Sequence, residues 1–227
     1  MAIRQAREQL GRVFTQRCFY LFVVLLALIG IVPFVDPTPT GRFAISAINL
    51  FIMIAAVAAV GRTVLSFVII VLLAAGALAS QYLGMSWGDA QHVVHAWMFG
   101  AALYAVTIAY MLRYVFQPEV MTADKLFGAA SAYLMLGALW TYLYALIGNY
   151  YPNSFAVAGA PAVPEVMDLL YFSFTVLTST GFGDIVPITR QARAICVLEQ
   201  LTGALFVAIL IARLAGVYPP AGSRERA

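Results

Sequence analysis

Residues 175–187 read TVLTSTGFGDIVP. Gly181 and Gly183 flank an aromatic, Phe182. The hydroxyl residues Thr178, Ser179 and Thr180 come before, and Asp184 follows. The stretch is small, polar and flexible, and its two glycines reach backbone dihedrals closed to most residues. The chemistry it offers is oxygen, from hydroxyls, carbonyls and one carboxylate, displayed on a backbone that can turn. What that oxygen serves depends on the elements that hold it.

Those elements are apolar. Of 227 residues, 63% are hydrophobic and 10% charged. Soluble domains carry about 25% charged residues, so the composition is that of a membrane protein. The net charge of +3 is spread over helix ends and gives nucleic-acid binding little support. Cys18 and Cys196 lack metal-ligand spacing and fall in opposite halves of the bilayer, against a zinc site or an intrachain disulfide. Arg4, Arg7, Arg12 and Arg17 precede an apolar run, Cys18–Val35, without a small-x-small cleavage site. That run reads as a first span, not a signal peptide.

Six stretches approach the ~20 apolar residues of a membrane span: 18–35, 43–61, 63–82, 92–116, 125–149 and 191–216. Breaks between them are DPTPTGR (36–42), Gly61-Arg62, MSWGDAQ (85–91) and QPEVMTADK (117–125). With the N-terminus inside, ten basic residues face the cytoplasm (Arg4, Arg7, Arg12, Arg17, Arg62, Arg113, Lys125, Arg213, Arg224, Arg226) and three face out (Arg42, Arg190, Arg193). This asymmetry sets both termini in the cytoplasm. Residues 150–163 read as an outer loop. Pro164-Glu165 then opens a short apolar run, with Glu165 and Asp168 as the acids of a first helical turn. A helix too short to span, followed by TSTGFGD and a return to the same face, is a re-entrant loop. Irregular backbone at that depth survives only buried in protein or lining a watery cavity, which suggests a pore.

LLYFSFTVLTSTGFGDIVP resembles the pore helix and selectivity filter of tetrameric potassium channels, T-x-G-[YF]-G-D. The likeness covers residues 125–218. The whole chain looks like a bacterial six-span member of that superfamily without a voltage sensor. The resemblance implies an all-α integral membrane protein, a homotetramer in the inner membrane, K+ as the transported ion and no organic cofactor. It implies that the carbonyls of Ser179, Thr180, Gly181 and Phe182 coordinate K+, with the Ser179 hydroxyl innermost and Gly183 at the outer end. It sets Phe182 as a cuff against Tyr171 and Phe172 of the pore helix. Ser179 stands where threonine is usual, Thr180 where valine or isoleucine is usual, and Phe182 lacks the tyrosine hydroxyl. These departures leave open a weakly selective cation pore. They also motivate an expectation that Ser179→Thr with Thr180→Val holds or raises discrimination, since threonine is β-branched and stiff.

Glu199 is the acid set well inside a span. Either it braces the filter through Ser173, Thr175 and Thr178, or it is a neutral core residue. Gly203, 22 residues after Gly181, is either the gating hinge that the resemblance suggests or a close-packing position. Ala204, Val207 and Ile211 recur at helical spacing and suit an apolar cavity wall. Asp184 attracts cations or holds the filter's outer end, and both roles are compatible.

The first four spans form a membrane domain (18–116) joined by a linker (117–124) to the pore domain, with cytoplasmic segments at 1–17 and 219–227. Span four carries only Arg113, so the domain resembles a voltage sensor without gating charges. The linker suits coupling of the two. His92 and His95, at i and i+3, read as an interfacial helix end sooner than a pH or metal site. The chain shows no paired-carboxylate, Ser/His/Asp or Cys/His constellation of an enzyme. A non-conducting subunit of a larger complex is the reading from another class.

Overall fold

The computed structural model describes residues 17–31, 64–87, 90–117 and 121–217, with isolated positions at 34, 38 and 41. The expected second span (43–61), the arginines Arg4, Arg7, Arg12 and Arg62, and the tail 219–227 lie outside the described residues, as do Asp89 and Pro118–Val120 of the linker.

Helices α1 (Arg17–Ile31), α2 (Val64–Trp87), α3 (Ala90–Val115) and α4 (Ala123–Tyr150) are followed by strands β1 (Phe155–Val157) and β2 (Ala160–Ala162). Helix α5 (Val166–Leu177), strand β3 (Ile185–Pro187) and helix α6 (Arg190–Val217) complete the order. Among the described residues, four helices are long and apolar enough to cross a bilayer: Phe67–Trp87, Gln91–Val115, Ala123–Tyr150 and Arg190–Ala215. They coincide with four of the six expected spans. Helix α1 has 15 residues and all but Arg17 fall in the expected first span, short of a full crossing in the part described.

Local chemistry sets the helix ends. Thr122 caps α4, its hydroxyl accepting from the Lys125 amide at 3.3 Å, so the helix starts ahead of the expected residue 125. Asp124, in that first turn, also accepts from the Cys18 amide (2.9 Å) and from the Tyr114 hydroxyl (2.7 Å). One carboxylate thereby ties α1, α3 and α4. At the far end of the chain, Arg213 of α6 donates to the Gln117 carbonyl and lies over the Phe116 ring, 5.3 Å from its centroid. The C-terminal part of α6 therefore rests on the end of α3.

The core runs through α4. Ala129 and Ala132 are buried and let neighbouring helices approach closely, and Met135 and Tyr144 fill the space beyond. Outside this bundle lies a three-stranded antiparallel sheet in the order β2-β1-β3. Phe155 pairs with Ala162 on one side and with Pro187 on the other; Val157 pairs with Ala160 and Ile185. Residues 150–163, expected as an outer loop, thus contain a β-hairpin. Its turn has left-handed backbone at both central residues, Ala158 (φ 49°) and Gly159 (φ 83°), the type I′ geometry that matches strand twist.

Candidate functional site

The site begins with α5. Pro164 precedes the N-cap, Glu165, and so lies two residues before the first helical position expected of it. The Glu165 amide donates to the Asp168 carboxylate at 3.2 Å, an acid placed to favour a helix start. At 12 residues the helix is about 18 Å long, too short to cross the hydrocarbon.

Its C-terminus shapes the backbone that follows. The Ser179 amide donates to the Val176 carbonyl (2.9 Å) and the Thr180 amide to the Thr175 carbonyl (2.8 Å). With Ser179 left-handed at φ 57°, this is a Schellman ending, a position that normally takes glycine. The Gly181 amide reaches the same Thr175 carbonyl at 3.1 Å. The N–H groups at the start of the loop are thus turned back toward the helix. Among the described residues, no donor reaches the carbonyls of Ser179, Thr180, Gly181, Phe182 or Gly183. All five residues are exposed. Gly181 (φ 57°) and Gly183 (φ 82°) supply the remaining left-handed turns, as their residue type suggested. Ser179 was not foreseen, because nothing in a serine marks it for that region.

Behind the loop, Thr178 Oγ1 donates to the Phe174 carbonyl (2.6 Å) and lies 2.8 Å from Thr180 Oγ1. Thr175 Oγ1 donates to the Phe172 carbonyl at 2.8 Å. Neither hydroxyl bonds Glu199, contrary to that part of the expected brace. Ser173 does, at 2.6 Å from Glu199 Oε1, and it lies 2.8 Å from the Gly137 carbonyl. Tyr144 donates to Glu199 Oε2. Glu199 is 0% exposed and joins α4, α5 and α6. One turn below, Tyr133 donates to the Leu177 carbonyl at 3.1 Å, and α6 passes that same carbonyl at Gly203. A methyl on Gly203 would overlap the Leu177 oxygen.

Tyr133, Gly137 and Tyr144 fall on one face of α4 (i, i+4, i+11). Helical period alone could have found them.

The aromatic cuff forms only in part. Phe182 stacks on Tyr171, with centroids 6.2 Å apart and planes 7° from parallel, yet stays 70% exposed. Phe172 instead packs inward against Tyr144 (5.0 Å) and Phe155 (5.7 Å). Asp184 holds the outer end of the loop: its Oδ1 accepts from the Ile185 amide (3.0 Å) and its carbonyl accepts from the Ala158 amide (3.0 Å). The Tyr171 hydroxyl faces the same carboxylate in hydrogen-bonding sense. That bond, then burial and the nearby negative charge, push the Tyr171 hydroxyl above the ordinary tyrosine range.

His92 and His95 lie far along the chain from this site, on α3. Their rings are 6.3 Å apart, and His92 meets Trp87 edge-on at 5.5 Å. Among the described residues no group of three or more His, Cys, Asp or Glu could hold a metal ion.

The sequence has counterparts among known proteins. Residues 125–218 match the family model described as "Ion channel". The potassium channel protein kcv of Paramecium bursaria Chlorella virus 1 is 27% identical over 79 residues, 35% of this chain and 83% of the viral protein. The voltage-gated inwardly rectifying potassium channel KCNH6 of Rattus norvegicus is 29% identical over 75 residues, 33% of this chain but only 8% of the rat protein. No solved structure matches the chain.

Proposed function

We propose that this chain is the subunit of a homotetrameric, potassium-selective channel that conducts K+ passively. Its filter is Ser179-Thr180-Gly181-Phe182-Gly183. The observation that carries this reading is the run of carbonyls from Ser179 to Gly183 that no donor reaches among the described residues. Oxygens so released can replace the hydration shell of a cation. Both reported relatives bear potassium-channel names, which supports K+ as the ion. One chain supplies one such segment, and a ring of carbonyls at each level needs four. Helix α6 supports assembly: 11% of its spanning window is buried within the chain, against 50% for α4. Its bare face includes Leu198, Leu201, Leu205 and Ile209. The setting is the inner membrane, with both termini cytoplasmic.

A second reading, a weakly selective monovalent cation channel, is favoured by the exposure of Phe182, which leaves the outer filter with one aromatic contact.

Purified protein in liposomes under a potassium gradient tests these readings. Potassium flux with little sodium flux is expected; equal fluxes select the second. Absence of flux under every stimulus, with a stable partner complex, leaves a non-conducting subunit. Gly181→Ala should abolish the flux while leaving insertion intact. Nothing lies within 4 Å of a methyl there, so the substitution acts through backbone conformation.

A further inference from the structure

We propose that the hairpin Phe155–Ala162 is a positioning element for the filter exit, so that the extracellular turn at Ala158-Gly159 sets how firmly the outer carbonyls are held. The inference rests on the channel reading above. It starts from the sheet. Strand β3 begins at Ile185, two residues after Gly183, and its whole length pairs with β1. The ladder continues past both ends of β3. At one end the Ala158 amide donates to the Asp184 carbonyl at 3.0 Å; at the other the Ile188 amide donates to the Ser154 carbonyl at 2.8 Å.

The far end of this ladder is anchored in turn. Ser154 is buried, donates to the Tyr151 carbonyl at 2.6 Å and lies 3.1 Å from the Thr189 hydroxyl. Thr189 precedes α6, and its hydroxyl accepts from the Ala192 amide at 3.3 Å. Phe155 is buried against Tyr144 and Phe172. Strand β1 is therefore fixed to the helical core, and the filter exit is hung on β1.

The weak point is the turn. Two short strands depend on their connection for register. The Ala158 amide that holds Asp184 belongs to a residue at φ 49°, where an alanine side chain is strained. A change there alters the backbone that grips Asp184. Ala158 is exposed, so the change disturbs no packing.

Three variants test the proposal by bi-ionic K+/Na+ reversal potentials in the full-length channel. Ala158→Val puts a β-branched residue in the left-handed region and should lower the permeability ratio about five-fold, with subunit assembly unchanged. Ala158→Gly and Ala158→Asn suit a type I′ turn and should keep the ratio at or above the wild-type value. If Ala158→Val fails to assemble, the Asn variant is compared with wild type during prolonged K+ withdrawal: the Asn variant should recover at least twice as much current. Equal ratios in all three variants, and equal recovery for Asn and wild type, overturn the proposal. A wild-type protein that passes no potassium overturns the channel reading instead.

Discussion

The two ends of the loop proposed as the filter are held by different means. At the inner end side chains reach from α4 and α6 to α5, and the polar cluster at Glu199 is buried. Glu199 joins Ser173 and Tyr144, and Tyr133 and Gly203 both meet the Leu177 carbonyl. At the outer end the contacts are mostly backbone, through the β1–β3 ladder and the Ala158 amide, with an exposed stack of Tyr171 on Phe182. A buried polar contact is costly to lose because water cannot replace the missing partner. A ladder bond depends little on which side chain sits above it. Single substitutions should therefore act strongly at the inner end and weakly at the outer end, unless they disturb the backbone itself.

Gly203→Ala should give the largest effect. The obstacle is a backbone carbonyl, not a flexible side chain, so α5 or α6 must shift. Overpacking of this kind costs about 3 kcal/mol, the upper part of its usual range. The measurement is thermal unfolding in detergent together with the K+/Na+ permeability ratio. Because the displaced group ends α5, the proposed pore helix, both should fall. A gating change with stability and selectivity intact would make Gly203 a hinge and break the comparison at its inner end.

Glu199→Leu comes next, at about 2 kcal/mol, because Tyr144 is left with a buried hydroxyl that has lost its acceptor. Glu199→Gln is the sharper probe. The Ser173 hydroxyl has one proton and two nearby oxygens, Gly137 O and Glu199 Oε1. A glutamine amide can donate to Ser173 Oγ, releasing that proton for Gly137, while its oxygen accepts from Tyr144. Thermal unfolding should place Gln close to wild type and Leu well below. Equal losses for both would mean that the carboxylate charge, not the bonding pattern, holds the three helices.

The same contrast explains what the sequence made legible. The glycines, the hydroxyl-rich approach and the lone acid of the last span pointed to the loop, the helix before it and the Ser173–Glu199 bond. Four spans followed from their apolar runs. The hairpin was hidden because SFAVAGAPAV carries none of the usual signs. Its strands are three residues each, Pro161 argues against a strand, and Ala-Gly replaces Asn-Gly in the turn. Pro161 is tolerated because β2 is the edge strand. Tyr144 and Tyr133 were masked for another reason: tyrosine is common near membrane interfaces, although their helical spacing with Gly137 sets all three on one face of α4.

Ser179→Thr lies between the two ends and should have a smaller effect, about 1 kcal/mol. The sequence reading expected this change, with Thr180→Val, to stiffen the inner site. Ser179 is left-handed, and a β-branched residue is disfavoured there. Thr180→Val also removes the hydroxyl 2.8 Å from Thr178. The structure therefore favours Ser179→Thr as destabilising, with Ser179→Gly relieving the backbone but losing the hydroxyl. Unfolding temperatures in the order Gly, Ser, Thr from high to low would support this. Threonine as the most stable of the three, with a raised K+/Na+ ratio, would restore the earlier expectation and give Ser179 a different backbone in the assembled pore.

Tyr171→Phe should have the smallest effect, because Tyr171 is exposed and the ladder holds Asp184 without it. The variant keeps the stack on Phe182 and loses only the bond to the Asp184 carboxylate. A slight fall in the K+/Na+ ratio is expected, independent of pH. In the wild type the bond adds a pH dependence whose sign follows from the raised Tyr171 pKa. A raised value means that the folded protein favours the neutral hydroxyl. Its contribution is complete below the ordinary tyrosine value of about 10, and it is lost as pH rises through the higher value of the folded state. Selectivity should thus stay level as external pH goes from 7 to about 9, then drift toward that of Tyr171→Phe at stronger alkalinity. Reversal potentials over that range provide the measurement. A large loss of selectivity in Tyr171→Phe at neutral pH would show that a single exposed side chain dominates the outer end, and the difference between the two ends of the filter would disappear.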